Sequence, residues 1–122
     1  MKAIIEQLEP RVHQFFPIQI VQPRSVYPKQ LFTVVIGNYR SSFSDLGGAL
    51  ARWGEGLQYK FSSITKAGAA TMHFQRSEFA NAHLWRERLF CEEIFNFSDE
   101  LVVRIEEAGL RTPKLHRAKE ID

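Results

Sequence analysis

The sequence predicts an α+β domain: a mainly antiparallel sheet of about four strands, with an N-terminal helix and two C-terminal helices. Three observations predict it. Apolar side chains recur every three to four residues near both ends of the chain, and every two residues in its middle. Proline and glycine punctuate the segments between them. The composition, 44% hydrophobic and 25% charged over 122 residues, suits one globular core and excludes disordered, collagen-like and coiled-coil chains.

The first element is a helix. Ile4, Ile5, Leu8, Val12, Phe15 and Phe16 share one helical stripe, either kinked at Pro10 or restarted there, and stopped by Pro17. Ile18 to Val21 reads as a short strand ended by Pro23. Leu31 to Ile36 reads as a second strand. It is apolar on both faces, which predicts a central strand covered on both sides. Ser44 or Asp45 is placed to cap a short helix through Leu46, Leu50 and Trp53, which Gly47-Gly48 weakens.

Leu57 to Ile64 and Ala69 to Gln75 alternate strictly, and Lys66-Ala67-Gly68 between them predicts an antiparallel hairpin. Ser77 then caps a long helix expected to reach Phe95 or Asn96. Ser98 caps another, with Asp99 and Glu100 in its first turn and Gly109 at its end, where Leu110 can fold back on Ile105. Residues 1–110 form the expected domain. Residues 111–122 form a basic tail, expected to be flexible.

Charge is segregated along the chain. Residues 1–76 carry nine basic and four acidic side chains, a net of +5; residues 77–110 carry three and eight, a net of −5. Such a dipole steers a charged partner, pairs two copies, or is neutralised within one monomer. The longest apolar run, Leu31 to Gly37, falls far short of the roughly 20 residues of a spanning helix. After Lys2 the first apolar stretch is cut by Glu6 and Glu9, so no signal peptide is read there. One cysteine, Cys91, excludes an intrachain disulfide and a multi-cysteine zinc site. A cytoplasmic protein without membrane association follows from these readings.

Candidate chemistry is sparse. On the expected long helix, His83 and Glu87 lie four residues apart inside an apolar arc. They read either as a buried hydrogen-bonded pair or as a polar site in which Glu87 orients His83 or both hold a metal. Cys91 would lie about 12 Å from His83 along that helix, too far for an activated thiol, and reads as a small buried hydrophobe. Lys60, Lys66, His73 and Arg76 form a candidate basic face on the hairpin, but its rings (Tyr59, Phe61, Phe74) point to the opposite side. Gly37 to Ser42 joins a strand to a helix start, yet carries no phosphate-binding glycine motif. Its Tyr39 and Arg40, with Phe43, make a candidate interface loop.

No catalytic set, cofactor site or metal box stands out. The expectation is a small cytoplasmic protein that acts by binding rather than catalysis, an adaptor or regulator working through protein contacts or as a homodimer. Two alternatives remain at this stage. One is nucleic-acid binding through the basic hairpin face and tail. The other is a small-molecule or metal site near His83 and Glu87.

Overall fold

The computed structural model describes residues 1–44, 66–90 and 94–122. The chain is α+β, as predicted, with several small antiparallel and mixed sheets. The short helix expected after Ser44, the first hairpin strand from Leu57, and Cys91 lie outside the described residues.

Helix α1 spans Lys2–Leu8 and buries Ile5. It does not continue to Phe16. Pro10 has no N–H, its ring opposes the carbonyl one turn back, and it disfavours helical backbone at the residue before it. Glu9 accordingly leaves the helix at φ −133° and ψ 70°. Arg11 then takes a positive φ of 63°, and the chain continues as strand.

Strands β1 (Gln14–Ile18) and β4 (Leu31–Val35) pair antiparallel, from Gln14 opposite Val35 to Ile18 opposite Leu31. Beyond them β2 (Val21–Gln22) and β3 (Ser25–Val26) close a tighter hairpin around Pro23-Arg24. The outcome is a two-stranded ribbon. The expectation of a central strand at Leu31 to Ile36 is therefore corrected: among the described residues β4 has one partner, and four of its five residues are exposed.

Two three-stranded sheets follow. One orders β5 (Tyr39–Arg40), β8 (Leu84–Glu87) and β9 (Asn96–Phe97), with β8 central. β5 runs parallel to β8 and β9 runs antiparallel. The other orders β10 (Lys119–Ile121), β7 (His73–Gln75) and β6 (Phe43–Ser44), with β7 central. The hairpin expectation changes accordingly. Lys66–Ala69 is a helical turn, α2, and β7 pairs with β6 and β10. Within residues 111–122, expected as a flexible tail, Lys119–Ile121 is a strand paired in parallel with β7.

The largest correction concerns residues 77–95. In place of one long helix, a single turn, α3 (Arg76–Phe79), leads to strand β8. Three of the four β8 residues are buried. A short segment covered on both faces has no period of its own, so its apolar pattern fits a helical arc equally well.

Helix α4 (Asp99–Glu107) forms where expected. The Ser98 side chain accepts the Leu101 N–H. At the other end Gly109, at φ 71°, lets its own N–H reach Glu106 O while the Leu110 N–H reaches Ile105 O.

Two apolar clusters hold these pieces. Ile5, Ile36, Leu84, Leu101 and Ile105 form the first, with Phe15 and Phe97 packed on its rim. Met72, Phe74 and Phe90 form the second, where Phe43 lies 5.0 Å from the Phe90 ring and 5.8 Å from the Phe74 ring, both edge-on.

Gly37 follows Ile36 at the point where the chain crosses its own N-terminal segment. A Cβ there would overlap the Val12 carbonyl oxygen, and a backbone atom cannot swing aside. Gly37→Ala is expected to lose more than about 2 kcal/mol in urea denaturation. Ser98→Ala is expected to cost about 1 kcal/mol in the same assay, the usual loss for an N-cap.

Candidate functional site

His83 immediately precedes β8 and Glu87 ends it, so the two are not on adjacent turns of a helix. Four residues of strand separate them by about 13 Å. His83 Nδ1 shares a 2.9 Å hydrogen bond with Ser98 Oγ, the same hydroxyl that caps α4. Glu87 is 2% exposed. Its carboxylate accepts the Ser42 N–H at 2.9 Å, the Phe43 N–H at 3.1 Å, the Trp85 indole N–H at 3.1 Å and the Ser42 hydroxyl. That satisfies every lone-pair direction of a carboxylate, so Glu87 holds the entry to β6 at Ser42 and Phe43 against β8 and has nothing left to orient His83.

A second buried carboxylate escaped the sequence reading. Glu9, 5% exposed, stands at the end of α1 and faces the start of β8. Its Oε1 accepts Asn38 Nδ2 at 2.5 Å and the His83 N–H at 2.9 Å. Its Oε2 accepts His13 Nε2 at 2.6 Å and the Leu84 N–H at 3.1 Å. The other nitrogen of His13 accepts the Gly37 N–H at 3.1 Å, which places the ring proton on Nε2. The only signal in the sequence was one acid wedged between Leu8 and Pro10.

Burial pushes the Glu9 carboxyl upward, but hydrogen bonds from His13 and from the His83 and Leu84 N–H groups outweigh it and hold the group below its ordinary 4.5. The folded pKa lies below the unfolded one. Glu9 therefore stabilises the fold fully above about pH 4.5, and that contribution is lost as pH falls through the lower folded value. Glu9→Gln is expected to cost about 2–4 kcal/mol at neutral pH. In urea melts the gap between wild type and variant is expected to narrow steadily below pH 4.5.

The remaining candidates scatter. Lys66 is exposed at the start of α2, and His73 Nδ1 lies 3.1 Å from Thr71 O. Arg76 is paired with Glu120 at 2.8 Å. Lys60 lies outside the described residues. Of the expected interface loop, Tyr39 is exposed and Arg40 is half-buried in β5. Phe43 is corrected to a core-packing residue of the second cluster. Among the described residues no group of three or more His, Cys, Asp or Glu could hold a metal ion. No described helix is long and apolar enough to cross a membrane.

What the structure does leave open is the ribbon. Val21 is 73% exposed, Phe16 51% and Val35 47%. Directly opposed residues of an antiparallel pair share a face. Phe15, Pro17, Phe32 and Val34 line the face toward α1, where the Lys2 ammonium sits 5.6 Å over the Phe15 ring and 5.2 Å over the Phe32 ring. Phe16, Ile18, Leu31, Thr33 and Val35 line the other face, which carries no charged side chain.

The two edges of the ribbon differ. Pro17 has no N–H, so its pair with Phe32 is of the non-hydrogen-bonded kind, as is Phe15 opposite Val34 two residues away. The N–H and C=O groups of Phe32 and Val34 consequently point away from β1. On the β1 edge, Pro17 removes one of the outward donors. The uncharged Leu-Phe-Thr-Val-Val strand of β4 contains no proline, and among the described residues no strand pairs with its outer edge. Comparison with protein-family models, curated proteins and solved structures finds no significant match to this chain.

Proposed function

We propose that this chain is a small non-enzymatic protein-binding module whose ribbon docks through the β4 edge, and that its partner there is a second copy of the chain. The observation that carries this reading is the intact, uncharged β4 edge on a ribbon whose apolar side chains are exposed. Isolated two-stranded ribbons are marginal in water, and an open apolar edge is a template for another strand.

Parity supports a like partner. In an antiparallel pairing of β4 with its copy about a two-fold axis at Thr33, Phe32 faces Val34 of the partner subunit. Those two residues turn their N–H and C=O groups outward, so they exchange hydrogen bonds, while Thr33 faces its own copy without needing any. One strand thus satisfies itself, as an isologous interface requires, and a continuous four-stranded sheet results. No charged residue lies within β4, so no like charges meet across the axis. A single cysteine, with no intrachain disulfide to form, is in keeping with action in the cytoplasm.

Sedimentation equilibrium at micromolar concentration tests the reading. The wild-type chain is expected to sediment as a dimer. Thr33→Lys and Val34→Pro, which place like charges at the axis and delete an outward donor, are expected to yield monomers with unchanged circular dichroism. A wild-type chain that stays monomeric throughout, or dimers in both variants, overturns it.

A further inference from the structure

A cleft of about 780 Å³ opens on the side of the molecule formed by α4, β7, β8 and the segment leading into β10. Its volume lies in the range of small-molecule sites. Met72, Phe74, Phe79, Trp85, Phe97 and Val102 supply its apolar lining. Phe79 and Trp85 stack face to face, centroids 4.9 Å apart and planes 9° apart, so this wall is flat and preformed.

Polar groups enter the cleft in an uneven way. Asn96 lines it, and its Nδ2 is buried with no hydrogen-bond acceptor. That donor lies beneath the cleft wall rather than on its surface, so the polar groups open to a ligand are those of the C-terminal segment. Along the C-terminal segment Lys114, His116, Arg117, Lys119 and Glu120 line the same cleft, with Glu120 paired to Arg76. Arg117 is already committed to Asp99 at 2.9 Å. Lys114 and Lys119 make no ion pair among the described residues, and both are exposed.

We infer that this cleft binds an amphipathic anion, a long alkyl or aryl-alkyl chain ending in a carboxylate. The chain would occupy the apolar lining and the carboxylate would lie between Lys114 and Lys119. The inference is independent of the ribbon: no ribbon residue lines the cleft, and dimerisation is not required for it.

Dodecanoate serves as the probe, with dodecanol and dodecyltrimethylammonium as matched chains lacking the negative charge, all kept below micelle-forming concentrations. The readout is Trp85 fluorescence in a Trp53→Phe background, with calorimetry as a second measure. Dodecanoate is expected to bind saturably and to change the Trp85 emission, with dodecanol at least about tenfold weaker and the cation weaker still. The exposed-site variants Lys114→Glu and Lys119→Glu are expected to weaken dodecanoate about tenfold together and to leave dodecanol unchanged. Val102→Trp, which narrows the cleft, is expected to weaken binding of both at least about tenfold, read by calorimetry because the new indole overlaps the Trp85 emission. Absence of saturable dodecanoate binding to the wild type, equal affinity for dodecanoate and dodecanol, or binding insensitive to Val102→Trp overturns the inference. The charge-reversal pair keeps it testable should Val102→Trp fail to fold.

Discussion

A buried carboxylate that must find donors organises this molecule. Glu9 leaves α1 with its charge inside the protein, where an unsatisfied carboxylate would cost several kcal/mol. It finds its partners in three separate stretches of chain: the His13 ring, the Asn38 amide, and the backbone N–H groups at His83 and Leu84. Helix α1, the exit of the ribbon and the start of β8 are thereby tied to one point. Glu87 repeats the device at the other end of β8, collecting the N–H groups of Ser42 and Phe43. The central strand of one sheet is thus held at both ends by carboxylates, while the side chain of Leu84, its first residue, joins the apolar cluster of Ile5, Leu101 and Ile105.

That organisation explains where function can reside. Glu9 and Glu87 are saturated with donors, so neither has a lone pair free for substrate. His83 shares its Nδ1 with Ser98 Oγ, and a Glu100 carboxylate oxygen lies 3.9 Å from the same nitrogen. Among the described residues two surfaces differ from these: the β4 edge with its exposed aliphatic and aromatic side chains, and a cleft lined by stacked rings. The first is the surface we propose to pair with another strand, and the second is the one we propose to take an amphipathic anion. They lie on different elements and make different demands on a partner.

Legibility followed the range of the interactions. Helix α4 was readable from Ser98 to Gly109 because its signals are local: a hydroxyl that caps, acids in the first turn, and a glycine that can take positive φ. Pro10 was visible as a disturbance, but its force was not. Nothing between residues 11 and 16 announces that the apolar stripe should change from helical to extended, since Val12, Phe15 and Phe16 suit either period. The region around Leu84 failed for a similar reason. Apolar and polar residues there fit a helical arc, and only the neighbours supplied by β5 and β9 make it a strand. Phe43 looked like an exposed aromatic because its partners, Phe74 and Phe90, are remote in sequence. The ribbon edge was legible only in hindsight, through Pro17.

By itself the sequence determined the class of the molecule and the capped helix near its end, because these rest on composition and on contacts within a few residues. Tertiary structure alone decided that β8 is a strand, that Glu9 and Glu87 act as internal clasps, and which edge of the ribbon stays open. Those outcomes depend on which backbone donors lie near which acceptors after distant segments meet, and spacing along a chain does not encode that proximity.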